Sequence, residues 1–574
     1  MPRGVHVDTV RASGVATHPR CQNHPGGTAT EMSRPAATPA PGLYLEHMEE
    51  AAFFLLFLVM AVACLSAFAR PLGMPYPILL VIGGLALGLL PGIPKLELEP
   101  DIVLLLFLPP LLYSAAFFSS LRDLRADMRV ISLLALGLAL ATTVVVAAVA
   151  QALIPGLPWP AAFALGAIVS PTDPVAATAV MRRLGAPRRV VTIIEGESLI
   201  NDASAIVVYR IAVAAAIGSG VRWWEAGLRL PLTILGGVVI GVAVGWLVAE
   251  IRRRVDDPPI ETAITLITGY AAYLPAERLG VSGVLAAVSA GILVGWRAPE
   301  IASARSRLIS FSVWEIVVFL ANALLFILIG LQLPLVLRGL AGQGVGRAVA
   351  YAAAVTATVV AVRLVFQFTT PYIIRALDRR PSQVARRAAW QPRLVIAWSG
   401  MRGAVSLAVA LALPLETNSG APFPQRGLII FITFGVIFFT LVLQGLSLPW
   451  LLRRLGVQDD GEEQREEVHA RLATTDAALA RIDEIARRDG VRVETIERLR
   501  ALYEFRRHRF AVRAGEKPDD GTDDRSLAYQ RTVRDILTAQ RNTLVRLRDQ
   551  GMISNDVMHR VERELDLEDS RLEI

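Results

Sequence analysis

Lysine is almost missing from this chain of 574 residues. It occurs only at Lys95 and Lys517, so the basic complement is nearly all arginine, a bias that reads as a GC-rich bacterial genome. Cysteine is equally scarce. Cys21 lies in a polar tail and Cys64 in an apolar run, which excludes a disulfide framework and a thiolate metal site. Charged residues make up only 19% of the chain, against 53% hydrophobic residues and a mean hydropathy of +0.48. Such a balance excludes an ordinary soluble domain. Histidine is confined to His6, His18, His24, His47, His469, His508 and His559, all outside the apolar runs. Any proton carried through those runs therefore rides on a carboxylate.

Residues 1–47 are rich in Pro, Gly, Ala, Thr and Arg without periodicity, and are expected to be disordered. They lack the apolar core and cleavage site of a signal peptide. Met48 directly precedes the first apolar run and is an alternative start.

Thirteen candidate spans follow, each near the ~20 residues that cross a bilayer as helix. They centre on Ala51–Ala69, Tyr76–Leu90, Asp101–Phe118, Val130–Ile154, Ala161–Met181, Ile193–Ile217 and Leu232–Ile251. The rest are Ile260–Tyr273, Val281–Trp296, Val313–Leu337, Ala348–Ile374, Leu394–Leu413 and Leu428–Leu452. Arginines cluster after the odd-numbered spans: Arg122, Arg125 and Arg129; Arg182, Arg183, Arg188 and Arg189; Arg252 to Arg254; Arg305 and Arg307; Arg375 to Arg387. The positive-inside rule then places the C-terminus in the cytoplasm and the N-terminus outside. It also accounts for the pI near 9.7 without nucleic acid. From about Gly456 the composition shifts to Glu, Arg, Asp and Ala. Amphipathic patterns over Glu462–Arg488, Val493–Val512, Leu527–Arg548 and Asn555–Leu567, with a polar break at Gly515–Asp524, read as a cytosolic helical module. The domain reading is thus 1–47 tail, 48–456 transmembrane domain and 457–574 cytosolic helices. The fold class is an all-α polytopic membrane protein.

Two acids stand inside apolar spans: Asp173 in Ser170-Pro171-Thr172-Asp173-Pro174, and Asp202 in Gly196-Glu197-Ser198-Leu199-Ile200-Asn201-Asp202. A charged side chain near the bilayer centre costs roughly 2.5–3.5 kcal/mol on insertion scales, so each needs an ion, a proton or a partner. Ser198 and Asp202 are four apart and share a helix face, offering a hydroxyl and a carboxylate to a hard cation. Glu197 and Asn201 share an adjacent face that calls for a donor, and Arg363 and Arg402 are the intramembrane candidates. Pro171 and Pro174 interrupt the fifth span, leaving backbone groups that must line a cavity or meet a partner. Asp173 either compensates a half-helix end or lies beside an ion path. In the twelfth span, Ser399-Gly400-Met401-Arg402-Gly403 is a second weak point, where Arg402 is placed to compensate a negative half-helix end. Two broken spans seven apart in order point to two inverted repeats, a transporter signature. Burial favours a neutral carboxyl and a nearby cation favours an ionised one, so one Asp can hold either a proton or a metal cation. Glu261, Glu277, Glu315 and Asn322 are further polar residues, structural, interfacial or lining an access path, and Arg210 is placed to snorkel toward the membrane surface.

These residues resemble the monovalent cation:proton antiporters of the first cation–proton antiporter group, which includes bacterial sodium/proton antiporters and animal sodium/hydrogen exchangers. The Ser170–Pro174 and Gly196–Asp202 motifs carry the resemblance, with Val281-Ser282-Gly283-Val284-Leu285-Ala286 and Gly400-Met401-Arg402-Gly403-Ala404-Val405-Ser406-Leu407. It implies thirteen helices, a homodimer in membrane lipid, and alternating access by a core domain moving against a dimerisation domain. It also implies exchange of Na+ (or Li+ or K+) for H+ across the bacterial cytoplasmic (inner) membrane, without a cofactor. Asp202 is then the ion- and proton-binding acid, with Ser198 and Thr172 as ligands of the transported Na+ and Asp173 as a nearby acid. Glu197 and Asn201 hold Arg363, and Arg402 sits at the broken twelfth helix. Asn201 before Asp202 is the pattern of the electroneutral branch. The competing readings are a cation channel or ion-gated sensor with a cytosolic output, and an intramembrane aspartyl protease. The protease reading lacks the Tyr-Asp and Gly-x-Gly-Asp contexts such enzymes would show.

Overall fold

The computed structural model describes residues 41–574 except 70, 73, 92–99, 219–222, 341–343, 378–388, 460, 488–491, 519–520 and 573–574. Most of the tail expected to be disordered therefore lies outside the described residues. Among the described residues there are helices and no strand, only an isolated bridge between Glu416 and Pro422. The helices are α1 Pro41–Ala69, α2 Tyr76–Leu89, α3 Pro100–Phe117, α4 Leu121–Ser132, α5 Ala139–Leu153, α6 Trp159–Val169 and α7 Pro174–Arg183. They continue with α8 Arg188–Ala216, α9 Trp223–Arg252, α10 Pro258–Arg278, α11 Gly283–Ile301, α12 Ala304–Leu331, α13 Leu333–Arg338 and α14 Val345–Leu377. The half-helices Trp390–Trp398 and Ala404–Leu411 come next, then Arg426–Phe439 and Gly445–Leu455.

Among the described residues, eight stretches are long and apolar enough to cross a membrane: Leu121–Leu153, Trp159–Arg183, Arg188–Ala216, Pro231–Arg252, Gly283–Ile301, Ala304–Arg338, Val345–Ile373 and Arg426–Leu455. Phe53–Ala69, Tyr76–Leu89 and Ile102–Phe117 are shorter apolar helices. Two of the long stretches are interrupted by π-helical turns, Leu133–Leu138 between α4 and α5 and Thr440–Gln444 in the last span. A π-turn leaves carbonyls off the regular ladder, and Ser204 uses one, donating to the Ala135 carbonyl at 3.2 Å.

Proline and glycine set the two breaks. Helix α6 ends at Val169, the chain runs non-helically over 170–173, and α7 starts at Pro174, whose missing N–H and fixed φ suit a first helical position. Asp173 caps α7 by accepting from the Val175 N–H at 2.9 Å. In the twelfth span, helix stops at Trp398 and resumes at Ala404, with Gly403 extended. The breaks meet: the Asp173 N–H donates to the Met401 carbonyl at 2.8 Å.

Packing sorts the helices into two groups. In one, α9, α10, α11, α12, α2 and α3 pack on one another. In the other, α4 to α8, α14 and the helices after residue 390 do so. The charged C-terminal stretch folds as Glu462–Ala486, Val493–Arg513, Thr522–Asp549 and Asn555–Leu572. The third of these begins at Thr522, inside the expected polar break, because Gly521 takes a left-handed φ of 75° and ends the turn early.

Candidate functional site

The site is built where α6, α7, α8, α14 and the broken twelfth span converge. Glu197 is fully buried and forms a two-pronged ion pair with Arg363, whose two terminal nitrogens reach both carboxylate oxygens, one of them at 2.8 Å. Arg363 does more than expected. Its Nε donates to the carbonyls of Ala397 at 3.1 Å and Ile396 at 3.3 Å, and Nη2 also reaches Ile396 at 3.1 Å. Those are free carbonyls at the C-terminal end of the half-helix Trp390–Trp398, the negative pole of its dipole. A Cβ at Gly400 would overlap the Arg363 side chain, so glycine is what lets the backbone lie on the guanidinium.

Arg402 serves both breaks. Its guanidinium donates to the Gly400 carbonyl of its own span and, at 2.9 Å, to the Val169 carbonyl at the end of α6. Its backbone N–H donates at 3.1 Å to Thr440 Oγ1, on the π-turn of the last span. The half-helix end it compensates across the crossing is thus that of the fifth span, while Arg363 handles that of the twelfth.

Thr172 lies between two residues of α8, its hydroxyl 3.3 Å from Glu197 Oε1 and 3.3 Å from Ser198 Oγ. Asp202 is buried one turn beyond Ser198 on the same face. Among the described residues its carboxylate makes no hydrogen bond and no ion pair, and Asp173 is an acid close enough to act on it. Asp173 packs so closely on Gly403 that a Cβ there would fall within its carboxylate. Asn201 departs from expectation. It does not share Arg363 with Glu197; its Oδ1 is buried without a partner, because Glu197 and the half-helix carbonyls take up the guanidinium.

Of the further polar residues, Glu261 takes the structural role among its alternatives: it pairs with Arg252 at 3.2 Å and accepts from Ser306 Oγ at 2.7 Å, all three buried. Arg252, counted among the loop arginines, is thus a core residue. Glu277 pairs with Arg210 at 2.6 Å, so Arg210 is not simply snorkelling. Asn322 donates to the Val318 carbonyl of its own helix at 2.9 Å. Arg252 next to Arg253 and Arg254 carries no sequence signal of its burial; Arg363, isolated in an apolar run, does.

Two interrupted helices crossing around buried carboxylates, with guanidiniums closing the half-helix ends, define the fold class of an ion-coupled secondary transporter. The comparisons name the family. The transmembrane profile of the sodium/hydrogen exchangers matches residues 56–454, and the chain belongs to that family. A protein of Mycobacterium tuberculosis described as an uncharacterised Na+/H+ exchanger is 36% identical over 531 residues, covering 91% of this chain and 97% of that one. The low-affinity Na+/H+ antiporter NhaS1 of Synechocystis is 34% identical over 434 residues, covering 75% and 79%. The sodium proton antiporter MjNhaP1 of Methanocaldococcus jannaschii, at pH 8, shares the fold with a TM-score of 0.56 and 21% identity, over 71% of this chain and 99% of that one. The protein is a multi-pass membrane protein of the ion-transporting class.

Proposed function

We propose that this protein exchanges one Na+ for one H+ by alternating access, with Asp202 as the shared site. The observation that carries the reading is a buried Asp202 carboxylate with no partner among the described residues, one turn from Ser198, whose hydroxyl lies 3.3 Å from that of Thr172. A carboxylate and two hydroxyls are the hard oxygen ligands a small alkali cation takes, and the same carboxylate can instead take a proton. Cation and proton then compete, which is what couples their opposing movements. Glu197 and Asn201, with Arg363 and Arg402, support the site, and Asp173 acts beside it directly or through water.

Charge supports a one-for-one exchange. The site holds three carboxylates, the buried Glu197 and Asp202 and the half-buried Asp173, against two buried guanidiniums, Arg363 and Arg402. One negative charge is left over, which one monovalent cation or one proton neutralises. Thirteen spans in two inverted repeats, 48–456, form the transport domain, with the tail of 1–47 before it and the helices of 457–574 in the cytoplasm. A homodimer in the bacterial inner membrane, N-terminus outside, completes the assignment.

The test is proton flux in everted vesicles or proteoliposomes on adding Na+, Li+ or K+ in turn. Flux driven by one or more of them, with cation moving the other way, is the expected result. Cation flux without opposing proton movement would replace the exchanger with a channel.

A further inference from the structure

Where α8 meets the other helix group, the contact is an apolar seam around the middle of the helix. Leu199 and Ala203 of α8 lie on Leu108, Leu112 and Ala116 of α3 and on Val284, Leu285 and Val288 of α11. Such a seam is slippery: dispersion contacts between smooth apolar faces have no preferred register as a hydrogen-bonded pair does. An ion pair crosses it. Arg210 of α8, two turns beyond Asp202, donates to Glu277 Oε2 at 2.6 Å, and Glu277 belongs to the last turn of α10. Its other oxygen accepts from the Gly283 N–H at 3.2 Å, at the start of α11. Glu277 is thereby held by both helices of the far group while it grips the helix that carries the ion site. At its opposite end α8 pairs with α4, Arg189 with Asp127 at 2.6 Å and Arg188 with Asp123 at 2.6 Å, and Arg188 also reaches Glu466 of the C-terminal helices at 3.5 Å.

We propose that Arg210 and Glu277 are positioning residues for exchange, a latch that closes the outer side of the ion site by tying α8 to the α10–α11 turn and that opens once per cycle. The inference rests on the alternating-access reading above. The energetics suit it. The pair is about half exposed on the arginine side, and exposed pairs contribute so little that one can break at every turnover. The buried Glu197–Arg363 pair, by contrast, stays shut within one group. Gly283 enforces the geometry: a Cβ there would press on the Glu277 side chain and the Tyr273 ring.

The test uses the full chain with Cys21 and Cys64 changed to serine, reconstituted in proteoliposomes. Arg210→Cys with Glu277→Cys is bridged by a bis-methanethiosulfonate linker of roughly the span of the ion pair. Bridging is expected to cut Na+-driven proton flux at least tenfold, and reductant to restore it. A second arm places Ile206→Cys one turn below the latch and labels it with an impermeant thiol reagent from the outside. Glu277→Gln is expected to raise that labelling rate several-fold, which a pair that only stabilises the fold would not do. Full flux in the bridged protein, or labelling unchanged by Glu277→Gln, overturns the latch. Absent flux in the unbridged cysteine-free parent overturns the exchange reading instead.

Discussion

At the scale of single residues, the site separates groups that titrate from groups that hold them. Among the described residues Asp202 has no partner, and Glu197 is committed to Arg363. Asp202→Asn is therefore expected to abolish Na+-driven proton flux with expression and melting temperature close to wild type, since an amide neither titrates nor neutralises a cation. Near-wild-type flux would remove Asp202 from the site. The Glu197–Arg363 pair predicts a different phenotype. Removing one member of a buried pair typically costs ~3–5 kcal/mol, so Glu197→Ala should lower thermal stability. Arg363→Ala should lower it further, because the Ile396 and Ala397 carbonyls also lose their donor. The double variant should cost less than the two losses together. Additive losses in detergent melts would mean Arg363 is held by some other acid.

At the scale of elements, the crossing is a backbone arrangement that only glycine and proline permit. Pro174 and Asp173 start α7 where it does, and Gly400 and Gly403 let the other strand of the crossing lie against Arg363 and Asp173. Gly403→Ala places a methyl group within the Asp173 carboxylate and is expected to reduce exchange at least tenfold. Gly344→Ala, where a Cβ meets nothing within 4 Å, is the control and should exchange normally. Equal flux in the two variants would show that Asp173 need not sit where the crossing puts it.

At the scale of the whole molecule, one surplus negative charge at the site predicts an electroneutral cycle. Proteoliposome flux is expected to be independent of a potential imposed with K+ and valinomycin, K+ transport having first been excluded. A rate that scales with potential would give Asp173 a proton of its own. On the proposed reading, in which cation and proton compete for one acid, apparent Na+ affinity should fall as pH drops and activity should vanish in acid. A Na+ affinity unchanged between pH 6 and 8 would separate the two sites. The C-terminal helices touch the membrane domain through Glu466, 3.3 Å from Arg122 and 3.5 Å from Arg188, exposed contacts worth ~0–1 kcal/mol each.

The membrane character, the two broken spans and the chemically loaded positions were legible in the sequence, because they rest on local rules. Apolar run length reports what a bilayer accepts, proline and glycine report where a helix fails, and an acid in an apolar run reports its own cost. Partner choice is not local. That Glu197 takes Arg363, that Arg402 reaches across to Val169, that Asn201 is left out, and that Arg252 turns inward to Glu261 all depend on which helices lie side by side. Arg210 and Glu277 sit 67 residues apart, and no spacing rule connects them. A buried charge must find a partner wherever the packing brings one within hydrogen-bond reach, so tertiary structure alone decided which partner each one has.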